Sequence, residues 1–274
     1  MWSIRQHKQL HSRLILIVDL LFYANQMKEN EMIFGIRAVI EAILAEKEID
    51  KILVKRDLQS DLSKELFDAL KGKEIAVQRV PAERLDRVTR KNHQGVIAFI
   101  PAISYQKLED IIPFLYEQGK NPFIVLLDGV TDVRNFGAIA RTCECAGVDA
   151  IVIPSKGSVT VNADAMKTSA GALHVLPVCK EKSITQAIKF LQESGVKVYA
   201  ASEKAYENYT AVTYDGPVAI VMGAEDTGVS MDNLRMCDQM VKIPQFGTIG
   251  SLNVSVASSI LVYEVVRQRM NEKH

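Results

Sequence analysis

The sequence predicts an α/β protein: a parallel-sheet domain in its second half, preceded by a smaller α/β unit. Three observations carry this. Apolar runs such as Phe123 to Leu127 and Val218 to Met222 have the unbroken character of strands buried on both faces. Segments with apolar residues at helical spacing, such as Ile184 to Leu191, lie between them. Polar, glycine-bearing loops stand where apolar runs end, the place where open α/β sheets hold ligands.

In order along the chain, Ile36, Val39, Ile40, Ile43 and Leu44 recur at helical spacing, and Lys51 to Lys55 reads as a strand. A helix near Asp61 to Leu70, a strand at Ile75 to Val80, a helix opened by Pro81 and running to Val88, and a strand at Gly95 to Ile100 complete the small unit. Its expected span is 32–104. Residues 105–121, with Pro113 and Gly119 around one amphipathic stretch, read as a linker holding a short helix. The large domain is expected over 122–274. Its first strand, at Phe123 to Leu127, leads to a helix at Phe136 to Ala146 that Gly147 stops. A strand at Ala150 to Ile153 and a helix from Asn162 toward Leu173 follow. Further strands fall at Val175 to Val178, Val196 to Ala200, Val218 to Met222 and Met240 to Ile243, and the last helix at Val254 to Met270. Alternating strands and helices imply a mostly parallel sheet covered on both faces.

Residues 1–31 read as an extension, disordered or not native, with the folded chain starting near Met27 or Met32. Arg5, Lys8 and Arg13 before the apolar run Leu14 to Tyr23 give a passing likeness to an export signal. Asp19 interrupts the run, which is too short to span a bilayer. A cytoplasmic location is expected.

Lys+Arg and Asp+Glu each number 33, so formal net charge is zero and no global basic field points to nucleic acid. RNA binding needs a local patch, and Arg79, Arg84, Arg87, Arg90 and Lys91 against Glu83 and Asp86 make the best candidate. A solvated helix face would show the same charges. Cys143, Cys145, Cys179 and Cys237 form no C-x-x-C pair and have no zinc-like spacing to histidines, so reduced cytosolic thiols are expected.

Three loops are candidates for chemistry. In Asp128 to Thr142, Asn135, Ala138 and Arg141 or Thr142 fall about one turn apart, so Asn135 and Arg141 are expected to share a helix face pointing toward the end of the sheet. Asp132 or Asn135 as a helix cap, and Arg141 as a surface ion-pair partner, would explain the segment equally simply. In Val221 to Ser230, Gly223 lets a ligand approach the backbone and Gly228 permits a tight turn, though a plain turn before a short helix has the same residues. It is not G-x-G-x-x-G, which disfavours the usual dinucleotide fold. In Ile243 to Ser255, a run of small and polar residues opens the last helix, whose first N–H groups favour an anion or carboxylate. This loop lacks the lysine of a phosphate-cradling loop, and Asn253 stands where a hydrolase elbow needs its last glycine. A helix-opening loop without ligand is the plain alternative.

Together these segments resemble the three signature motifs of the SpoU branch of the SPOUT RNA methyltransferases, in the right order from Phe123 to about Arg269. Asn92-His93-Gln94-Gly95-Val96 resembles the end of that family's small substrate-binding domain. The combination is most similar to the branch that methylates a guanosine 2′-hydroxyl in bacterial 23S ribosomal RNA. Relatives acting on transfer RNA share the motifs, and a non-catalytic RNA-binding or ribosome-assembly protein is the rival of another class. The resemblance implies a C-terminal domain with a deep trefoil knot, S-adenosylmethionine as cofactor, no metal, and a homodimer. It implies cofactor contacts at Gly223, Ile243 and Leu252, and a catalytic group of Arg141, Asn135, Glu225, Ser251 and Asn253. It gives RNA contacts to Arg84, Arg87, Arg90, Lys91, His93 and Gln94, with His93 either shaping an RNA-contacting loop or filling a structural turn.

Overall fold

The computed structural model describes residues 32–271; the readings of residues 1–31 lie outside the described residues. The chain divides into two compact units, one ending at Ala102 and the other starting at Ile103.

In the first unit, β1 (Met32–Phe34), β2 (Lys51–Lys55), β3 (Ala76–Val80) and β4 (Val96–Phe99) form a sheet of order β1-β4-β2-β3. Strands β2 and β3 are parallel, whereas β4 runs antiparallel to both β1 and β2. Alternation along β2 assigns its side chains to two faces. Ile52 and Val54 join the core with Val39, Ile40 and Ile43 of α1 (Ile36–Leu44) and Leu66 of α2 (Asp61–Ala69). Leu53 instead packs with Leu85 of α3 (Ala82–Val88). Helix α2 starts where it does because Ser60 and Ser63 exchange side-chain-to-backbone hydrogen bonds of 3.1 and 3.2 Å, a reciprocal cap. Strand β1, with three residues, is too short to show a period, and the sequence reading had no place for it.

The second unit holds a seven-stranded sheet of order β7-β6-β5-β10-β8-β11-β9. Its strands are β5 (Phe123–Asp128), β6 (Ala150–Pro154), β7 (Val178–Glu181), β8 (Lys197–Ala201), β9 (Glu207–Asn208), β10 (Val218–Gly223) and β11 (Gln239–Lys242), paired in parallel throughout. Ile124 and Leu126 of β5 face a core built with α4 (Leu108–Glu117) and α7 (Ile184–Glu193), whose Ile112, Leu115, Ile188 and Leu191 are buried. Val125 and Leu127 are equally buried on the opposite face. There α9 (Val254–Asn271) packs on β10 and on α5 (Val133–Cys145). After β5 the chain steps outward to β6 and β7, then returns to the other side of β10. That reversal opens a crevice at the C-terminal ends of β5, β10, β8 and β11.

Several boundaries differ from the sequence reading for local reasons. The short helix expected within 105–121 is α4, and its Leu108, Ile112 and Leu115 lie in the second unit's core. Pro113 lies inside α4, on its solvent face. Helix α5 starts three residues earlier than expected, because Asp132 caps it by accepting the N–H groups of Arg134 and Asn135 at 2.9 Å each. Asn162 does cap a helix, α6 (Ala163–Thr168), but left-handed backbone at Ala170 and Gly171 ends it short of Leu173. The next strand accordingly starts at Val178 rather than Val175, which is exposed. Gly137 of α5 lets that helix press against α6: a Cβ there would stand 2.6 Å from the Cβ of Thr168.

All four cysteines are free. Burial raises the Cys143 thiol pKa, and it pushes those of Cys179 and Cys237 up to about 12. The thiolate is the reactive form, so these three stay inert at neutral pH. Iodoacetamide applied to the folded chain is therefore expected to label exposed Cys145 alone within minutes. Peptide mapping that finds Cys143 or Cys179 modified as fast would contradict this packing.

Candidate active site

The three loops singled out by sequence meet at the C-terminal ends of the strands of the second unit. Strand β5 ends at Asp128, whose Oδ2 accepts the Ser230 N–H and the Asn233 side-chain amide, both at 2.8 Å. This ties the first loop to the start of α8 (Met231–Met236), which follows the second loop. Cys237 also lies near this carboxylate; burial first, then the charges of Asp238 and Asp128, keep it a neutral thiol. No thiolate nucleophile stands here.

Strand β10 ends at Gly223, where the backbone turns back across itself. A Cβ on Gly223 would lie 2.0 Å from the Gly228 carbonyl carbon and 2.0 Å from the Val229 nitrogen. The turn closes with the Gly228 N–H donating to the Ala224 carbonyl at 2.8 Å, and Gly228 takes φ +67°. Glycine is required at the first position by space and favoured at the second by backbone conformation.

Glu225 stands on this turn and joins the other two loops. Its Oε1 accepts the side-chain amides of Asn135 at 2.9 Å and of Asn253 at 2.5 Å, and Asn253 also donates to Asn135 Oδ1 at 3.0 Å. Asn253 has a second task at the start of α9. Its carbonyl accepts the Ala257 N–H at 2.9 Å, and its Oδ1 accepts the N–H of Ser255 at 3.0 Å. Asn253 is thus the cap of the last helix. One N–H of this helix start, that of Ser255, is therefore already taken by the chain itself.

Beside the cluster lies a cavity of about 420 Å³, lined by Gly223, Glu225, Ile243, Ser251 and Leu252 among others. All three expected cofactor contacts are in its wall, and so are Glu225 and Ser251 of the expected catalytic group. The sequence reading missed Ser202, Glu203 and Lys204, which also line it. A signal for them was present: they are the polar loop after apolar β8, and every parallel strand ends at this side of the sheet.

Arg141 is placed differently from expectation. Six residues along a helix is about 120° away from a shared face, so Arg141 does not lie beside Asn135. Thr142 holds that face instead, and its hydroxyl is 3.1 Å from that of Ser259 on α9. The Arg141 side chain is exposed, and no hydrogen bond or ion pair among the described residues involves it.

In the first unit, Arg84, Arg87, Arg90, Lys91 and Gln94 are all exposed, while His93 is folded inward. Lys91 Nζ lies 5.3 Å from the centre of the Phe34 ring. A hollow of about 610 Å³ is lined by Glu83, Asp86, Arg87, Val88, Thr89 and Arg90. Arg79 is committed elsewhere, 5.0 Å from the Phe67 ring and donating to the Arg56 carbonyl at 3.4 Å. Among the described residues, no group of three or more His, Cys, Asp and Glu side chains is placed to hold a metal ion.

Comparison with known proteins identifies the arrangement. Residues 122–263 match the model of the SpoU rRNA Methylase family, and residues 32–106 match that of RNA 2′-O ribose methyltransferase substrate binding. The chain is 36% identical over 243 residues to the 23S rRNA (guanosine-2′-O-)-methyltransferase RlmB of Photobacterium profundum, covering 88% of this chain and 98% of that one. It is 30% identical over 242 residues to the Putative TrmH family tRNA/rRNA methyltransferase YacO of Bacillus subtilis, covering 88% and 97%. Among solved structures, an AdoMet-bound rRNA methyltransferase from Sinorhizobium meliloti superposes with a TM-score of 0.55 at 25% identity, over 86% of this chain and 87% of that one. Two matching domain families in the expected order, and relatives aligned over nearly their whole length, lead to one conclusion: the chain belongs to the SpoU rRNA methylase family.

Proposed function

We propose that this protein methylates the 2′-hydroxyl of a guanosine ribose in 23S ribosomal RNA, using S-adenosylmethionine. The observation that carries the reading is the glycine cradle at Gly223, beside a cavity that Glu225 borders and where Asn135, Glu225 and Asn253 converge. At about 420 Å³ the cavity suits a small molecule, since such sites run from roughly 300 to 1,000 Å³. Backbone at Gly223 and side chains of Ile243 and Leu252 would hold the cofactor. When bound, S-adenosylmethionine supplies an electrophilic methyl group.

The chain's own part is to present a hydroxyl oxygen to that group. A ribose hydroxyl is a weak nucleophile until it is polarised or loses its proton. A guanidinium is a poor base in general, so the role of Arg141 is to orient the hydroxyl and an adjacent phosphate, with the RNA assisting removal of the hydroxyl proton. Asn135 and Asn253, both bonded to Glu225, fix the edge of the pocket where the ribose would sit, and Ser251 completes its wall. Rate then comes largely from aligning two bound reactants. Arg84, Arg87, Arg90 and Lys91 would meet the RNA backbone. A knotted C-terminal domain, a homodimer and a cytoplasmic location belong to the same reading. Exposed Val256, Tyr263 and Met270 on α9 support the dimer, and no helix among the described residues is long and apolar enough to cross a membrane.

Incubation with labelled S-adenosylmethionine and separate pools of unmodified ribosomal and transfer RNA tests the substrate. Label is expected in 23S RNA. Label in transfer RNA alone would favour the alternative that relatives described as tRNA/rRNA methyltransferases suggest. No transfer, with RNA binding retained, would favour a non-catalytic ribosome-assembly role.

A further inference from the structure

The turn from Arg90 to Gln94 joins α3 to β4 in the first unit, and His93 is the residue in it whose side chain points inward. Its side chain is only 14% exposed, and both ring nitrogens are engaged. Nδ1 accepts the N–H of Gly95 at 3.0 Å, and Nε2 lies 3.0 Å from Asp86 Oδ1. A backbone N–H only donates, so Nδ1 carries no proton, and the ring proton on Nε2 goes to Asp86. The imidazole is a strut from α3 to the far end of the turn.

What the strut braces is an unfavourable backbone. Gln94 has φ +49° and Gly95 φ +81°. Left-handed backbone is disfavoured at a residue with a side chain, and surrounding contacts must impose it. Here they are the His93–Gly95 bond, the Val96 N–H donating to the His93 carbonyl at 2.8 Å, and the Lys55 N–H donating to the Gly95 carbonyl at 2.7 Å. The result leaves Gln94 exposed, with its Oε1 3.5 Å from where a Cβ on Gly35 would stand, and Arg90 and Lys91 exposed close to it in the chain. A carboxamide offers a donor and an acceptor side by side, the pairing that reads an unstacked base edge.

We propose that His93 is a positioning residue for RNA: by bridging Asp86 and Gly95 it holds Gln94 in the left-handed conformation, and the Gln94 carboxamide, not the imidazole, contacts an unpaired base. This rests on the reading that the first unit binds RNA. It replaces the option that His93 itself touches the substrate.

A double-mutant cycle on the full chain tests it, measuring affinity for a 23S RNA transcript at fixed salt, S-adenosylmethionine affinity and melting temperature. His93→Ala and Gln94→Ala are each expected to weaken RNA binding about tenfold, the scale of one good hydrogen bond. Cofactor affinity should not change. The double variant should bind no more weakly than either single one, because His93 acts through Gln94. Multiplying losses would mean that His93 contacts RNA itself and would overturn the proposal, as would full affinity in Gln94→Ala. Asp86→Ala adds a check on exposed ground, in case His93→Ala does not fold. Removing an acid from an RNA-binding surface should tighten binding on charge alone, whereas loss of the strut predicts weaker binding. Asp86→Asn loses the same charge but keeps an acceptor for Nε2–H, so it should bind at least as tightly as the parent chain; tighter binding by Asp86→Ala sinks the idea. If the unaltered chain binds no RNA, the functional reading fails together with this one; normal wild-type binding with an indifferent Gln94 fails this one alone.

Discussion

Arg141→Ala is expected to lower methyl transfer by at least 10²–10³-fold, the effect of deleting one aligned polar group at a reacting oxygen, while S-adenosylmethionine binds as before. Arg141 lies outside the cavity wall, and no hydrogen bond or ion pair among the described residues involves it. Its removal should therefore cost little folding free energy, within about 0.5 kcal/mol for an ordinary surface substitution. Arg141 is exposed, and its guanidinium keeps donors for a substrate phosphate. Calorimetric titration with cofactor and single-turnover kinetics with RNA separate the two effects. Turnover within a few fold of the parent chain would remove Arg141 from the mechanism. A comparable loss of cofactor affinity would show that it belongs to the cofactor site instead.

The second large effect is expected at Gly223. An alanine methyl would fall 2.0 Å from backbone atoms of Gly228 and Val229 and 2.4 Å from the Gly228 carbonyl oxygen. Backbone atoms cannot swing aside as a flexible side chain can, so the whole turn 224–228 must move. Glu225 moves with it, and Asn135 and Asn253 lose their shared acceptor. Gly223→Ala should lower cofactor affinity by a hundredfold or more, and overpacking of this kind costs about 1–3 kcal/mol of stability. Gly228→Ala is the matched comparison: its Cβ meets open space, and only the positive φ is penalised. That costs about 1 kcal/mol and should largely spare binding. Equal cofactor affinity in Gly223→Ala and the parent chain would mean that the cradle is not where the ligand sits.

The two substitutions also mark what the sequence disclosed and what it did not. Strands β5, β6 and β10 are apolar on both faces, so their runs stand out without any structure. Glycine after a strand located the Gly223 turn for the same reason. The contacts that make a site were invisible, because Asn135 and Glu225 are 90 residues apart and Asn135 and Asn253 are 118 apart. No local period reports such pairs. Strand order is equally nonlocal: β10 slots in beside β5 although β6 to β9 intervene. The short helix expected within 105–121 is there, but the burial of its Leu108, Ile112 and Leu115 in the second unit's core could not be read from the sequence. The face shared with Asn135 went to Thr142, since seven residues, not six, close two helical turns. Loop chemistry located the pocket, but only resemblance to a family named the cofactor and the ribose.

The most direct measurement asks which atom receives the methyl group. RNA transfer with label is followed by alkaline hydrolysis, which cleaves the backbone only beside a free 2′-hydroxyl. If the cavity beside Gly223 serves ribose methylation, the label must appear in an alkali-stable dinucleotide whose first residue is guanosine. Label recovered in mononucleotides would place the methyl on a base and contradict the account.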